Sequence, residues 1–232
     1  MPGDERRKIE KGAALAVDYT LDVVGGAELP RPAGLILMSP AIAITPFAIV
    51  ARLRTGLSSV PGFGRAAWQV IETEFDPYKY SSFSFNAAGE TQRLTSGIDR
   101  KVQRQFERGP IRDFPPTLIF MSTVDATVLA PAVADVLLEH LAPGNHELVV
   151  FDLNRLTEVQ PLLVRDPGPL TARLLSAPSR SYALTVVTNV SPETPEVQEL
   201  RAVPGSAVQA ARPLPWSWPR DVFSLSHVAI PF

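Results

Sequence analysis

The sequence predicts an α/β protein: a mostly parallel sheet with helices on both faces and a helical cap inserted between two strands. Three short runs lead to that expectation, Gly34–Ser39 (GLILMS), Thr117–Met121 (TLIFM) and Glu147–Phe151 (ELVVF). Each is apolar almost throughout and does not alternate, which is the pattern of a strand covered on both sides, as strands of parallel sheets are. Stretches with helical spacing separate them, and alternating helix and strand is the order that builds parallel sheets.

Taken in order, the first element is a helix over Gly12–Val24 (GAALAVDYTLDVV), with Ala13, Ala16 or Val17, Leu21 and Val24 on one side. Gly25–Gly26 stops it, because glycine accepts the left-handed conformation that closes a helix. The residues before it, MPGDERRKIEKG, are charged and read as a solvated terminus without a strand. After the GLILMS strand, Pro46–Leu57 and Gly62–Phe75 read as two short amphipathic helices split at Pro61–Gly62. Asp76–Phe85 (DPYKYSSFSF) is aromatic and polar with little period, and Leu94, Ile98, Val102 and Phe106 then mark one face of a third helix. Residues 41–113 therefore form a mostly helical insertion. Thr117–Met121, a helix over Leu129–Leu141 with Val133, Leu137 and Leu141 inward, and Glu147–Phe151 make a strand–helix–strand unit with a right-handed crossover. Leu170–Leu175 reads as a helical turn or two, Tyr182–Thr188 as a strand, and the proline-rich Ser191–Arg220 as loop.

Composition narrows the function. A chain of 232 residues, 45% hydrophobic and 20% charged, can bury a substantial core as a single domain over 1–232. A net charge of −2 gives no footprint for a nucleic acid. With no cysteine, disulfides, thiolate metal sites and a cysteine nucleophile are excluded. No apolar run approaches the ~20 residues of a membrane span. The amino terminus lacks the apolar core of a signal peptide, so the compartment is unknown, with the cytoplasm as default. No metal-ligand spacing appears, Gly62-Phe63-Gly64 follows no strand, and no cofactor is expected.

Two residues stand out chemically. Asp125 follows a buried strand in STVDATV, at the strand end where ligands of doubly wound sheets bind; a turn or helix-start aspartate fits the same position. His227 lies in SLSHV after a Trp-rich loop, where a near-neutral imidazole is free to act as a general base or simply to pack near the chain end. His140 at a helix end and His146 in a turn read as structural. A carboxylate and then a histidine are two members of a Ser–His–Asp apparatus. The serine should sit in a G-x-S-x-G turn between a strand and a helix. If Gly12 closes that turn, its serine position is Glu10, which cannot form an acyl-serine. Ser39 and Ser122 end buried strands but lie in no such turn.

On GAALAVDYTLD, GLILMSPAI, DPYKYSSFSFNA, FPPTLIFMSTVDATV and FSLSHVAIPF, the chain resembles the α/β-hydrolase fold family, in particular bacterial serine esterases and lipase-like members, from Gly12 to Phe232. The resemblance implies a partial α/β-hydrolase fold with 41–113 as the cap. It also implies Asp125 as the acid that orients the imidazole, His227 as the general base, and the backbone N–H of Lys11 as an oxyanion donor. The implied ancestral activity is hydrolysis of a carboxylic ester through an acyl-serine, with a small ester or acyl compound as ligand. Residues 1–11 match no part of the family pattern, which is expected of a chain truncated at its amino end and lacking the nucleophile elbow. Such a chain is expected to be inactive, or to be a non-catalytic binding protein that keeps the cap pocket. With the preceding strands missing, the GLILMS strand is expected at an open sheet edge, available to a partner chain.

Overall fold

A computed structural model of the chain describes residues 2–42, 68–71, 82–123, 132–153, 168–177, 180–206 and 211–218, with side chains from residue 12 to 42 and from residue 89 onward within these ranges. Its centre is a six-stranded mixed sheet in the order β1-β4-β5-β6-β7-β8. The strands are β1 (Leu35–Met38), β4 (Thr117–Ser122), β5 (His146–Asp152), β6 (Ala183–Asn189), β7 (Glu196–Ala202) and β8 (Arg212–Ser217). The first four run parallel, and β7 and β8 add an antiparallel extension. This places the protein in the α/β class. A separate antiparallel pair joins β2 (Trp68–Ile71) to β3 (Ser82–Ser84).

The register explains where the core lies. Leu37, Ile119, Leu148 and Leu184 are successive partners across the four parallel strands, and all are buried. This row faces α1 (Pro2–Val24), α2 (Phe85–Phe106), a π-helical turn at Val133–Leu137, a 3-10 turn at Leu138–His140, and α3 (Gly168–Ser176). Val17, Leu21, Ile98, Val102, Val133, Leu137 and Leu174 join the row in one cluster. The expected face of α1 is buried, and that of α2 is buried at Ile98 and Val102, whereas Phe106 at its end is 39% exposed.

Helices on both faces are not found among the described residues, because all the described helices pack into this one cluster. The opposite face holds a smaller group, Val149, Leu153, Val187, Val197 and Trp218. On β1 that face is open: Ile36 is 73% exposed. The continuous apolar run therefore belongs to a one-sided edge strand, whose partner strand among the described residues is β4 alone.

Four further elements differ from expectation. The first helix begins at Pro2, because Asp4, Glu5, Arg6, Arg7, Lys8, Glu10 and Lys11 can extend a helix without an apolar face, and proline is tolerated in a first turn. Its end is as expected. Gly26 has φ +102, Gly26 N–H donates to Val23 O at 3.1 Å and Ala27 N–H to Asp22 O at 2.9 Å, the paired bonds of a Schellman motif. Within the expected helix Gly62–Phe75, residues 68–71 are β2. Within 41–113, α2 belongs to the main core: Ile98 and Val102 are fully buried there, and Lys101 Nζ lies 2.8 Å from both Asp18 and Asp22 of α1. Finally, Ser191–Arg220 contains β7 and β8. Two prolines, Pro213 and Pro215, sit in β8, which is possible because β8 is the outer strand.

Candidate functional site

In a parallel sheet the carboxyl ends of the strands converge on one edge, where a ligand meets loops instead of side-chain layers. Here that edge gathers Ser39 after β1, Ser122 and Thr123 at the end of β4, and Asp152 at the end of β5. Asp152 is 2% exposed. Its Oδ1 accepts a hydrogen bond from Thr123 Oγ1 at 3.0 Å and its Oδ2 one from Thr171 Oγ1 of α3 at 2.7 Å. A buried carboxylate must be compensated, and hydroxyl donors from two different elements contribute to that here.

Ser39 has a different character. Its N–H donates to Phe120 O at 2.8 Å, so its backbone closes the β1–β4 ladder. Its φ is +41, a left-handed value that is uncommon for a residue with a Cβ. Its side chain is fully buried and Oγ has no hydrogen-bond partner among the described residues. Backbone strain and an unpaired buried hydroxyl at one strand end are unfavourable features of the kind that cluster at functional sites.

The residues singled out from the sequence divide as follows. Asp125 and His227 lie outside the described residues, as do 43–67 of the expected cap. Lys11 and Glu10 lie inside α1, where an amide is directed at the carbonyl four residues back, and not in a turn following a strand. Ser39 and Ser122 are at buried strand ends, as expected, and Ser122 is 1% exposed. Asp152 is not among the residues the sequence singles out, although like Asp125 it is an acidic residue that follows an apolar strand run.

At the opposite, amino-terminal end of the strands lies a cleft of about 760 Å³. Leu35, Ile36 and Leu118 give it an apolar side. The other side holds Glu147 and Arg201, paired through Nη1 at 2.8 Å and Nη2 at 3.1 Å, with Thr185 Oγ1 donating to the same carboxylate at 2.8 Å. Its charges satisfy one another, so the cleft presents no free polar anchor among these three residues. Burial lowers the pKa of His146 beside it, so the ring stays neutral at pH 7.

Among the described residues no three His, Asp or Glu side chains are grouped to hold a metal ion, and no helix is long and apolar enough to cross a membrane. Comparison of the chain with protein-family models, with curated proteins and with solved structures finds no match.

Proposed function

We propose that this chain is an α/β-hydrolase-like protein, related to carboxylic-ester hydrolases, that does not turn over esters through an acyl-serine and instead binds a small ester or acyl compound at the carboxyl ends of β1, β4 and β5. The observation that carries the reading is the unbroken helix α1 from Pro2 to Val24. The resemblance calls for a strand and a serine-bearing turn just before Gly12, and helix with a glutamate at position 10 occupies that place. In this reading Asp125 and His227 keep an acid–base pair without a nucleophile to serve, and Asp152 with Thr123 and Thr171 holds the neighbouring strand ends in position.

The test is hydrolysis of short- and medium-chain p-nitrophenyl esters, together with labelling by a fluorophosphonate that reports an activated serine. No turnover above that of His227→Ala and no labelled serine are expected. Turnover that His227→Ala abolishes overturns the reading.

A second reading follows from Ser39 alone. Its positive φ and unpaired Oγ are features that a nucleophile on a strained strand-end turn would have. Fluorophosphonate labelling that maps to Ser39 and disappears in Ser39→Ala selects this reading over the first.

A further inference from the structure

The two outer strands of the sheet are built differently. β8 carries Pro213 and Pro215, and four-fifths or more of its positions are open to solvent, so it presents an edge on which proline has removed two of the donors another strand would need. β1, at the other edge, is Leu35-Ile36-Leu37-Met38, with no proline, no charge and no bulge.

The β1 edge also has a definite hydrogen-bonding pattern. Leu35 N–H donates to Pro116 O and Ser39 N–H to Phe120 O, both at 2.8 Å. By strand alternation Leu35, Leu37 and Ser39 point their backbone groups at β4, while Ile36 and Met38 point theirs away. The outward N–H and C=O of Ile36 and Met38 have no partner among the described residues. Such a bare edge is a template for another strand, and natural proteins usually blunt one.

We propose that β1 pairs antiparallel with β1 of a second copy of this chain, making one continuous sheet across a two-fold axis. The pattern is self-complementary. With Leu37 opposite Leu37 of the other copy, Ile36 stands opposite Met38 and Met38 opposite Ile36. Each of these pairs exchanges both of its backbone bonds, as a hydrogen-bonded antiparallel pair does. Ile36, 73% exposed on the monomer, then lies against an apolar residue of the other copy. A head-to-tail arrangement is blocked, because among the described residues the other edge of this sheet is the proline-bearing β8. The contact therefore closes as a pair and does not propagate into a filament. Three paired residues from each copy bury far less than the ~800 Å² per partner of a standard interface, so the dimer forms reversibly with concentration. This inference rests on the sheet topology and is independent of the hydrolase-like reading.

Sedimentation velocity across a concentration series tests it, with Ile36→Lys as the first variant. Position 36 is solvent-exposed, so lysine leaves the monomer folded, as circular dichroism would verify, and places two charges at the shared edge. A concentration-dependent dimer whose dissociation constant rises about tenfold or more in Ile36→Lys is the expected result. Met38→Pro is the second variant. It deletes an outward N–H without touching a β1–β4 bond, and it should weaken the dimer in the same way. A chain that stays monomeric up to about 1 mM, or a dimer that neither variant weakens, overturns the proposal.

Discussion

Thr171 Oγ1 donates to Asp152 Oδ2 at 2.7 Å, and this bond ties α3 to the carboxyl end of β5. With Thr123 on the other oxygen, the carboxylate also clamps β4 to β5 at the edge of the sheet where a ligand is proposed to sit. Both threonines and the aspartate come from segments far apart in the chain, so the clamp is a tertiary device and not a local turn.

Removing the carboxylate should therefore cost more than a typical surface change. Asp152→Ala deletes two charge-assisted hydrogen bonds at a site only 2% exposed and is expected to destabilise the fold by about 2–4 kcal/mol in urea unfolding. Asp152→Asn keeps one good acceptor and should lose about half as much. An Asp152→Ala loss within ±0.5 kcal/mol would show that the clamp contributes little.

Ser39 leads to the opposite expectation. Ser39→Gly removes both the left-handed strain and the unpaired Oγ, against the greater freedom of glycine in the unfolded chain. The balance favours the variant by about 1 kcal/mol, seen as a melting temperature about 2–4 °C higher. Ser39→Ala relieves only the hydroxyl and should gain less. A marked fall in stability for both variants would mean that the serine is held there for packing.

The pH dependence of stability should contain a step from His146. Burial lowers its pKa in the fold below the ordinary 6.5, so the unfolded chain binds this proton more readily than the folded one. The stability contributed by the neutral ring is present above pH 6.5 and is lost as pH falls from there toward the lowered folded value. One such group gives a slope of at most about 1.4 kcal/mol per pH unit. His146→Gln is expected to flatten this limb. Glu199 belongs to a separate window: Arg212, with its Nε 2.7 Å from the carboxylate, holds the Glu199 pKa below 4.5, so its contribution is lost only in stronger acid. An unchanged limb between pH 6.5 and 5 in His146→Gln would exclude His146 as its source.

Much of the sheet and its helical layer was legible in the sequence, and the parts that were not have identifiable reasons. The faces of α1 and α2 followed from apolar spacing, since Val17, Leu21, Ile98 and Val102 recur at helical intervals and tertiary packing uses that stripe. Gly25–Gly26 marked a real helix end because only a glycine-like φ closes it cheaply. The charged start of α1 carries no apolar period, so its helical state was hidden. β7 was missed because EVQELRA is largely polar, and β8 because Pro213 and Pro215 argue against a strand unless its outer edge is open. In β1 the apolar run concealed a side chain, Ile36, that faces solvent. Around the site, Ser39 was marked by its place after an apolar run. Asp125 lies outside the described residues, and the Asp152 clamp depends on Thr171, whose partnership across the fold leaves no trace in local sequence.

The most direct measurement is the titration of His227 by NMR in the wild-type chain and in Asp125→Asn. If the two side chains meet at the carboxyl end of the sheet, the aspartate stabilises the imidazolium, and its loss lowers the pKa of His227. A measurable downward shift in Asp125→Asn is expected. An identical titration in both chains would separate the two residues and contradict the hydrolase-like reading.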